Sequence, residues 1–179
     1  EEAIKLDPAD ALTWSEKGLQ LMQMKRYSES LPAFERALEL TPESGSKERA
    51  QIWISKGEVL NKTGRQEDAL AAFQKSVNAS ENTLLSNAND TSVLELKGRA
   101  LIELGKYDEA IKAFELAIET AMPGSFHVPT IWIGKGDALR AQRKNEAALE
   151  AYNQAILLSP IYSDAWAGRG EAQKAQGLI

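Results

Sequence analysis

The chain contains no cysteine. That absence removes disulfide staples, thiolate nucleophiles and cysteine-ligated zinc together, and it fits a reducing compartment. Histidine is nearly absent too, with His127 alone. No apolar run approaches the roughly 18 to 20 residues that cross a bilayer, so no membrane association is expected. The first residues, EEAIKLDP, are acidic and amphipathic, unlike a secretory leader. A soluble, cytoplasmic protein is therefore expected. A basic surplus is missing as well: 21 Lys and Arg face 26 Asp and Glu, for a net charge of -5. A nucleic-acid partner, which needs clustered positive charge against phosphates, is not expected. What is present is 179 residues, 43% of them apolar, enough for one or two globular domains with a full core.

Laid against itself, the chain repeats. WSEKG (Trp14 to Gly18), WISKG (Trp53 to Gly57), LELKG (Leu94 to Gly98), WIGKG (Trp132 to Gly136) and WAGRG (Trp166 to Gly170) superimpose on their glycines, and every tryptophan falls in one column. Twelve residues after the Gly stands a small residue: Ser30, Ala69, Ala110, Ala148. Four further on is a ring: Phe34, Phe73, Phe114, Tyr152. Three beyond it another small side chain follows: Ala37, Ser76, Ala117, Ala155. Pro42 and Pro160 then close the segment eight residues past the ring.

These columns have a physical reading. Apolar residues recur at helical intervals in LTWSEKGLQLMQM and again in SESLPAFERALEL, with a break at Lys25 to Tyr27. Two amphipathic helices joined by so short a turn pack antiparallel. A Gly inside a helix costs about 1 kcal/mol relative to Ala, which is tolerable only where close packing offsets it. Gly in the first helix and Ala or Ser in the second are therefore expected at the closest approach, with the Trp and Phe columns filling the remaining core. Neither helix buries its stripe alone, so each pair must stack on the next.

The columns resemble the tetratricopeptide repeat, whose pattern runs W-x2-L-G-x2-Y, then A-x3-F, then P. The resemblance covers essentially the whole chain and implies an all-α fold, an α-solenoid of stacked antiparallel helix pairs in a right-handed superhelix with a concave groove. A single array over residues 1–179 is expected, divided into the end of a preceding repeat (1–10), repeats at 11–49, 50–90, 91–128 and 129–162, and the first helix of a further or capping repeat (163–179). A chain that starts and stops in mid-pattern is most simply a piece of a longer array. In one column this sequence departs from the family: its Leu before the Gly is replaced by Lys17, Lys56, Lys97, Lys135 and Arg169. Long stems there can cover apolar surface while the charge reaches water. The anchors stand 39, 41, 38 and 34 residues apart, and only the last equals the usual 34. The surplus gathers in TPESGSKERAQ (41–51), VNASENTLLSNANDTS (77–92) and AMPGSFHVPT (121–130), read as connections between pairs, with Asn82 to Ser86 able to prolong a helix.

Candidate chemistry is thin. His127 reads as a surface residue ahead of a helix, not a ligand or general base; no GxxxxGK[ST] phosphate loop occurs; and Asn61, Asn78 and Asn89 would be glycan acceptors only in a secreted protein. No catalytic residue, metal or cofactor is expected, and the protein is not expected to be an enzyme. The resemblance instead points to the first helix of each pair, whose side chains line the family's groove. It assigns partner contacts to Ser15, Leu19 and Met22, to Gln51, Ile54, Glu58 and Asn61, to Glu95, Arg99 and Ile102, and to Ile133, Asp137 and Arg140. Chaperone-binding members clamp a partner's terminal carboxylate with Lys three before the Gly and Asn one after. Here those places hold Ser15 and Leu19, Ile54 and Glu58, Glu95 and Arg99, Ile133 and Asp137. Peptides ending in Glu-Glu-Val-Asp are not expected to bind. The expected role is a non-catalytic scaffold for a peptide or partner protein. The competing expectation is a structural module that forms a homo-oligomer through the array ends or the insertions.

Overall fold

The computed structural model describes residues 9–43, 47–122 and 124–177. Among them the ordered elements are all helical: α1 (Ala11–Gln23), α2 (Tyr27–Leu40), α3 (Lys47–Lys62), α4 (Gln66–Leu84), α5 (Thr91–Glu103), α6 (Tyr107–Thr120), α7 (Val128–Ala141), α8 (Asn145–Leu158) and α9 (Ser163–Ala175). They gather into two compact units, Glu1–Ala88 with α1 to α4 and Asn89–Ile179 with α5 to α9.

Local signals set the helix ends. The Asp10 carboxylate accepts the Leu12 and Thr13 amides, both at 3.1 Å, and the Thr13 hydroxyl as well; Asp90 does the same for Ser92 and Val93 at the start of α5. Each tight turn between the helices of a pair passes through one left-handed residue at the same place in the repeat: Lys25, Gly64, Gly105 and Arg143, with φ of 59°, 77°, 72° and 61°. Two bonds close the first of these turns, Arg26 N–H to the Leu21 carbonyl at 2.8 Å and Lys25 N–H to Met22 at 2.9 Å; the same pair of bonds recurs at Arg65, Lys106 and Lys144. This Schellman geometry satisfies carbonyls at the helix end and suits glycine, which only two of these four turns have.

In unit 1, α1 packs on α2 and α3 on α4, while α2 and α1 both touch α3. Phe34 and Phe73 are fully buried. A Cβ added at Gly18 would lie 2.6 Å from the Phe34 ring, and one at Gly57 equally close to Phe73. The glycines therefore admit a ring from the second helix. The small columns from Ser30 to Ala155 are nonetheless all buried at 0% exposure. Ser76 adds a bridge, its hydroxyl donating to the Ala50 carbonyl at 2.9 Å.

Unit 2 repeats the scheme with α5 on α6 and α7 on α8, and with α9 against α8 and α7. Here each ring is held by two glycines: Phe114 would be 2.6 Å from a Cβ at either Gly98 or Gly134, and Tyr152 would be 2.6 Å from one at Gly136 and 2.5 Å from one at Gly168. Gly170, in the anchor column of α9, has nothing within 4 Å of a Cβ.

The tryptophans depart from the expected core filling. Trp14, Trp53 and Trp132 are half-buried against the edge of the core, and Trp166 is 44% exposed, its indole N–H donating to the Pro160 carbonyl at 3.0 Å. The basic column explains the difference. Lys17, Lys56, Lys135 and Arg169 lie over the ring three residues earlier, at 5.0, 5.5, 5.3 and 4.4 Å from its centre, and Lys75 covers Trp53 from the other helix at 4.5 Å. An indole face that receives a cation cannot also be sealed in an apolar core. The same cations reach the residue after the preceding ring: Lys56 pairs with Glu35 at 2.8 Å, Lys135 with Glu115 at 2.9 Å, and Arg169 donates to Asn153 at 3.5 Å. Replacing the family's Leu thus turns one column into a polar stitch between successive pairs.

The insertions lengthen helices more than loops. α3 begins at Lys47, and Arg49 in its first turn caps α2 by donating to the Leu38 and Thr41 carbonyls, both at 2.9 Å. α4 continues to Leu84, leaving Leu85 exposed at its cap. In AMPGSFHVPT the described residues before Val128 are non-helical, and Val128 and Pro129 open α7.

Candidate functional site

Within each unit the first helices of successive pairs adjoin, α1 with α3, α5 with α7 and α7 with α9, while among the described residues the second helices do not. The second helices bury their rings, and the first helices lie side by side inside each unit.

In unit 1, Ser15, Leu19 and Met22 stand half-buried on α1, Gln51 and Glu58 half-buried on α3, and Asn61 exposed near its end. Leu19 and Met22 pack with one side against the cluster of Phe34, Leu38, Ile52 and Val59. Ile54 differs from its assignment: at 1% exposure it is core and offers a partner nothing.

In unit 2, Glu95, Arg99 and Ile102 are half-buried on α5, and Asp137 and Arg140 on α7. Ile133 is only 9% exposed and clusters with Leu139, Tyr152, Ala165 and Ala172, so it too belongs to the packing between α7, α8 and α9. Ile54 and Ile133 occupy the same column, three before the Gly. A branched apolar side chain there turns toward neighbouring helices and is sealed. In α5 that column holds Glu95, half-buried and facing His127: Oε2 lies 3.9 Å from Nδ1.

Asp137 and Arg140 are brought together through a group the sequence reading had treated as core alone. Tyr152 is the one tyrosine in a column of phenylalanines, and its hydroxyl passes between the helices to donate to Asp137 at 2.7 Å while accepting from Arg140 Nε at 3.2 Å. Arg140 also pairs with Glu171 on α9 at 2.8 Å. Burial lifts the Asp137 carboxyl above its ordinary value, and the Tyr152 and Arg140 hydrogen bonds offset it only in part. Tyr152 is raised well above an ordinary phenol by the same burial and by the Asp137 charge. Although burial disfavours its charge, Arg140 is raised by Tyr152, Glu171 and Asp137. The network ties α7, α8 and α9 to one another and fixes Arg140 in place. Among the described residues no set of three His, Asp or Glu side chains is arranged to hold a metal ion, and no helix is long and apolar enough to cross a membrane.

The stacked pairs, with a ring seated on the anchor glycine of each complete pair, define an α-solenoid. A tetratricopeptide repeat model matches residues 10–82 and 89–158. The chain belongs to the tetratricopeptide repeat family. No curated protein matches it. Among solved structures it is similar to that of Pseudomonas aeruginosa pilF, with a TM-score of 0.65, 17% identity, 96% of this chain and 71% of that one covered. The first TPR domain of human RPAP3 gives 0.57 at 17% identity, covering 73% of this chain and 94% of that one. The MamA protein gives 0.53 at 17% identity, covering 94% and 83%. At such identities the likeness is one of fold. The family generally serves as a non-catalytic scaffold for protein–protein interaction.

Proposed function

We propose that the chain holds a peptide or a partner protein along the first-helix faces of its units, through Ser15, Leu19, Met22, Gln51, Glu58 and Asn61 in unit 1 and Glu95, Arg99, Ile102, Asp137 and Arg140 in unit 2. The observation that carries this reading is that the first helices of successive pairs adjoin inside each unit and keep Leu19, Met22 and Ile102 partly exposed among charged and amide groups. That mixture suits an extended or helical segment anchored by apolar side chains and oriented by polar ones. Asp137 and Arg140 enter as a pair already held by Tyr152 and Glu171, so a partner meets a fixed polar point and orders no long side chain on binding.

Peptides selected by display against the chain test the proposal. Met22→Asp and the double variant Arg99→Glu, Ile102→Asp should each weaken the selected peptide at least about tenfold, or about 1.4 kcal/mol, measured at a temperature where circular dichroism shows each variant folded. Binding that survives these changes and is lost on substituting exposed second-helix residues such as Lys112 and Glu150 would overturn the assignment.

A further inference from the structure

The outer side of α9 repeats a surface that is covered wherever else it occurs. In each complete pair the first helix carries a stripe at intervals of four and three residues: a large apolar side chain, the anchor Gly and a Leu. Such spacing keeps all three on one side of the helix. On α5 the stripe is Leu94, Gly98 and Leu101. All four anchor glycines of the complete pairs receive the ring sixteen residues on, which would lie 2.6 Å from an added Cβ. The Leu that follows is buried in all four, as Leu21, Leu60, Leu101 and Leu139.

On α9 the stripe is Trp166, Gly170 and Gln173. The other side of the helix is engaged: Ala165 and Ala172 are buried, and Gly168 seats the Tyr152 ring. Nothing lies within 4 Å of a Cβ at Gly170, and among the described residues α9 packs against α7 and α8 alone. Trp166 is 44% exposed. The stripe is a ring seat without its ring. Two features let it stand in water meanwhile. Half-buried Gln173 replaces the sealed Leu, and the Trp166 indole has its N–H bonded to the Pro160 carbonyl and the Arg169 guanidinium over its face. A face that tolerates water suits an occupant that comes and goes.

We infer that this stripe is a docking site for one amphipathic helix of another polypeptide, which sets a Phe or Tyr ring on Gly170 and carries a small residue four before the ring and three after it. The four filled seats specify that occupant. In each the ring is Phe or Tyr, and the residues four before and three after it are Ala or Ser at 0% exposure. A ring reaches the backbone of a glycine only if the two helices come close, and larger side chains at those flanks hold them apart. A helix of this pattern finds on α9 the same notch, and beside it an indole to cover. The mode is that of a helix laid on an apolar stripe. The stripe shares no residue with the first-helix positions proposed above, so the two kinds of binding are separable.

The probe is a peptide with the α6 sequence, Tyr107–Thr120, added to the whole chain. A lactam between its Asp108 and Lys112 side chains, both exposed in the fold, keeps it helical, since so short a helix is marginal alone. Proton NMR should show the Gly170 α protons moving upfield and the Trp166 indole perturbed, with Leu19 and Met22 unmoved. The same peptide with Phe114→Ala should bind at least about tenfold more weakly. Gly170→Ala in the chain should cost as much, because its methyl takes the place of the ring; that methyl meets nothing in the free chain, so the variant folds. Absence of any Gly170 shift at millimolar peptide, equal binding by the ringless peptide, or undiminished binding to Gly170→Ala would each overturn the inference. Display-selected peptides of the first-helix faces should bind Gly170→Ala as they bind the wild type, so failure here leaves the Met22 and Arg99 tests standing.

Discussion

In unit 1 each buried ring covers one glycine; in unit 2 each covers two. Phe34 and Phe73 close on Gly18 and Gly57, whereas Phe114 lies between Gly98 and Gly134, and Tyr152 between Gly136 and Gly168. The second glycine comes from the next first helix, two residues before its anchor. At that place α3 carries Ser55, buried and with a Cβ of its own. Successive pairs in unit 2 are therefore joined through the ring itself. In unit 1 the Phe34 ring meets the next pair through a cluster with Leu38, Ile52 and Val59, beside the Lys56–Glu35 pair, with no second glycine. The same repeat thus offers two ways to stack, and they differ by a hydrogen or a hydroxymethyl group at a single position.

That contrast can be broken by mutation. The largest effect is expected for Phe114→Ala, which empties a ring site shared by two helices: a loss of about 3 to 5 kcal/mol in urea denaturation. It should exceed the loss for Phe34→Ala, whose ring covers one glycine. Next comes Gly134→Ala, which places a methyl 2.6 Å from the Phe114 ring and should cost about 1 to 3 kcal/mol by overpacking. Gly170→Ala should do the opposite, since its Cβ meets nothing within 4 Å and the helix gains up to about 1 kcal/mol.

Tyr152→Phe makes the last ring of unit 2 like the others and should cost about 1 to 2 kcal/mol through the bonds to Asp137 and Arg140. Its signature is alkaline. The folded phenol is raised above its unfolded value of 10.0, so the folded state keeps a proton that the unfolded state releases. The contribution is complete below the ordinary tyrosine range and falls as pH rises through and beyond it, and the variant should lose that slope. Smallest is the turn column, where Lys25→Gly and Arg143→Gly relieve a left-handed side chain and should each add up to about 1 kcal/mol, while Gly64→Ala should lose a similar amount. Thermal midpoints of the three variants give the comparison directly.

The helix pairs were legible because their signals are local and repeated. A glycine sixteen residues before a ring, with small residues around the ring, leaves little besides two antiparallel helices in contact. The tryptophan column fills the core only at its edge, with Trp14, Trp53 and Trp132 packed against it, because the lysine or arginine three residues on covers the indole. Ile54 and Ile133 were assigned to the partner face by column, but a column fixes only direction. Whether a side chain pointing that way is sealed depends on the neighbouring helices and on its own branching, and Glu95 in the same column is only half-buried. The Tyr152 hydroxyl carried a faint signal, one tyrosine among three phenylalanines, with no means of showing that Asp137 and Arg140 would converge on it. The AMPGSFHVPT insertion was visible as surplus, but the corner that Met122 and Phe126 form with Leu158 and Ile161 needed a distant connection.

The central claim is that every anchor glycine within a complete pair has a ring seated on it. Proton NMR of the glycine α positions tests it most directly. The account predicts upfield ring-current shifts and contacts to aromatic protons for Gly18, Gly57, Gly98, Gly134, Gly136 and Gly168, with Gly170 at ordinary positions. Ordinary shifts at Gly98 and Gly136, or a strong aromatic contact at Gly170 alone, would contradict it.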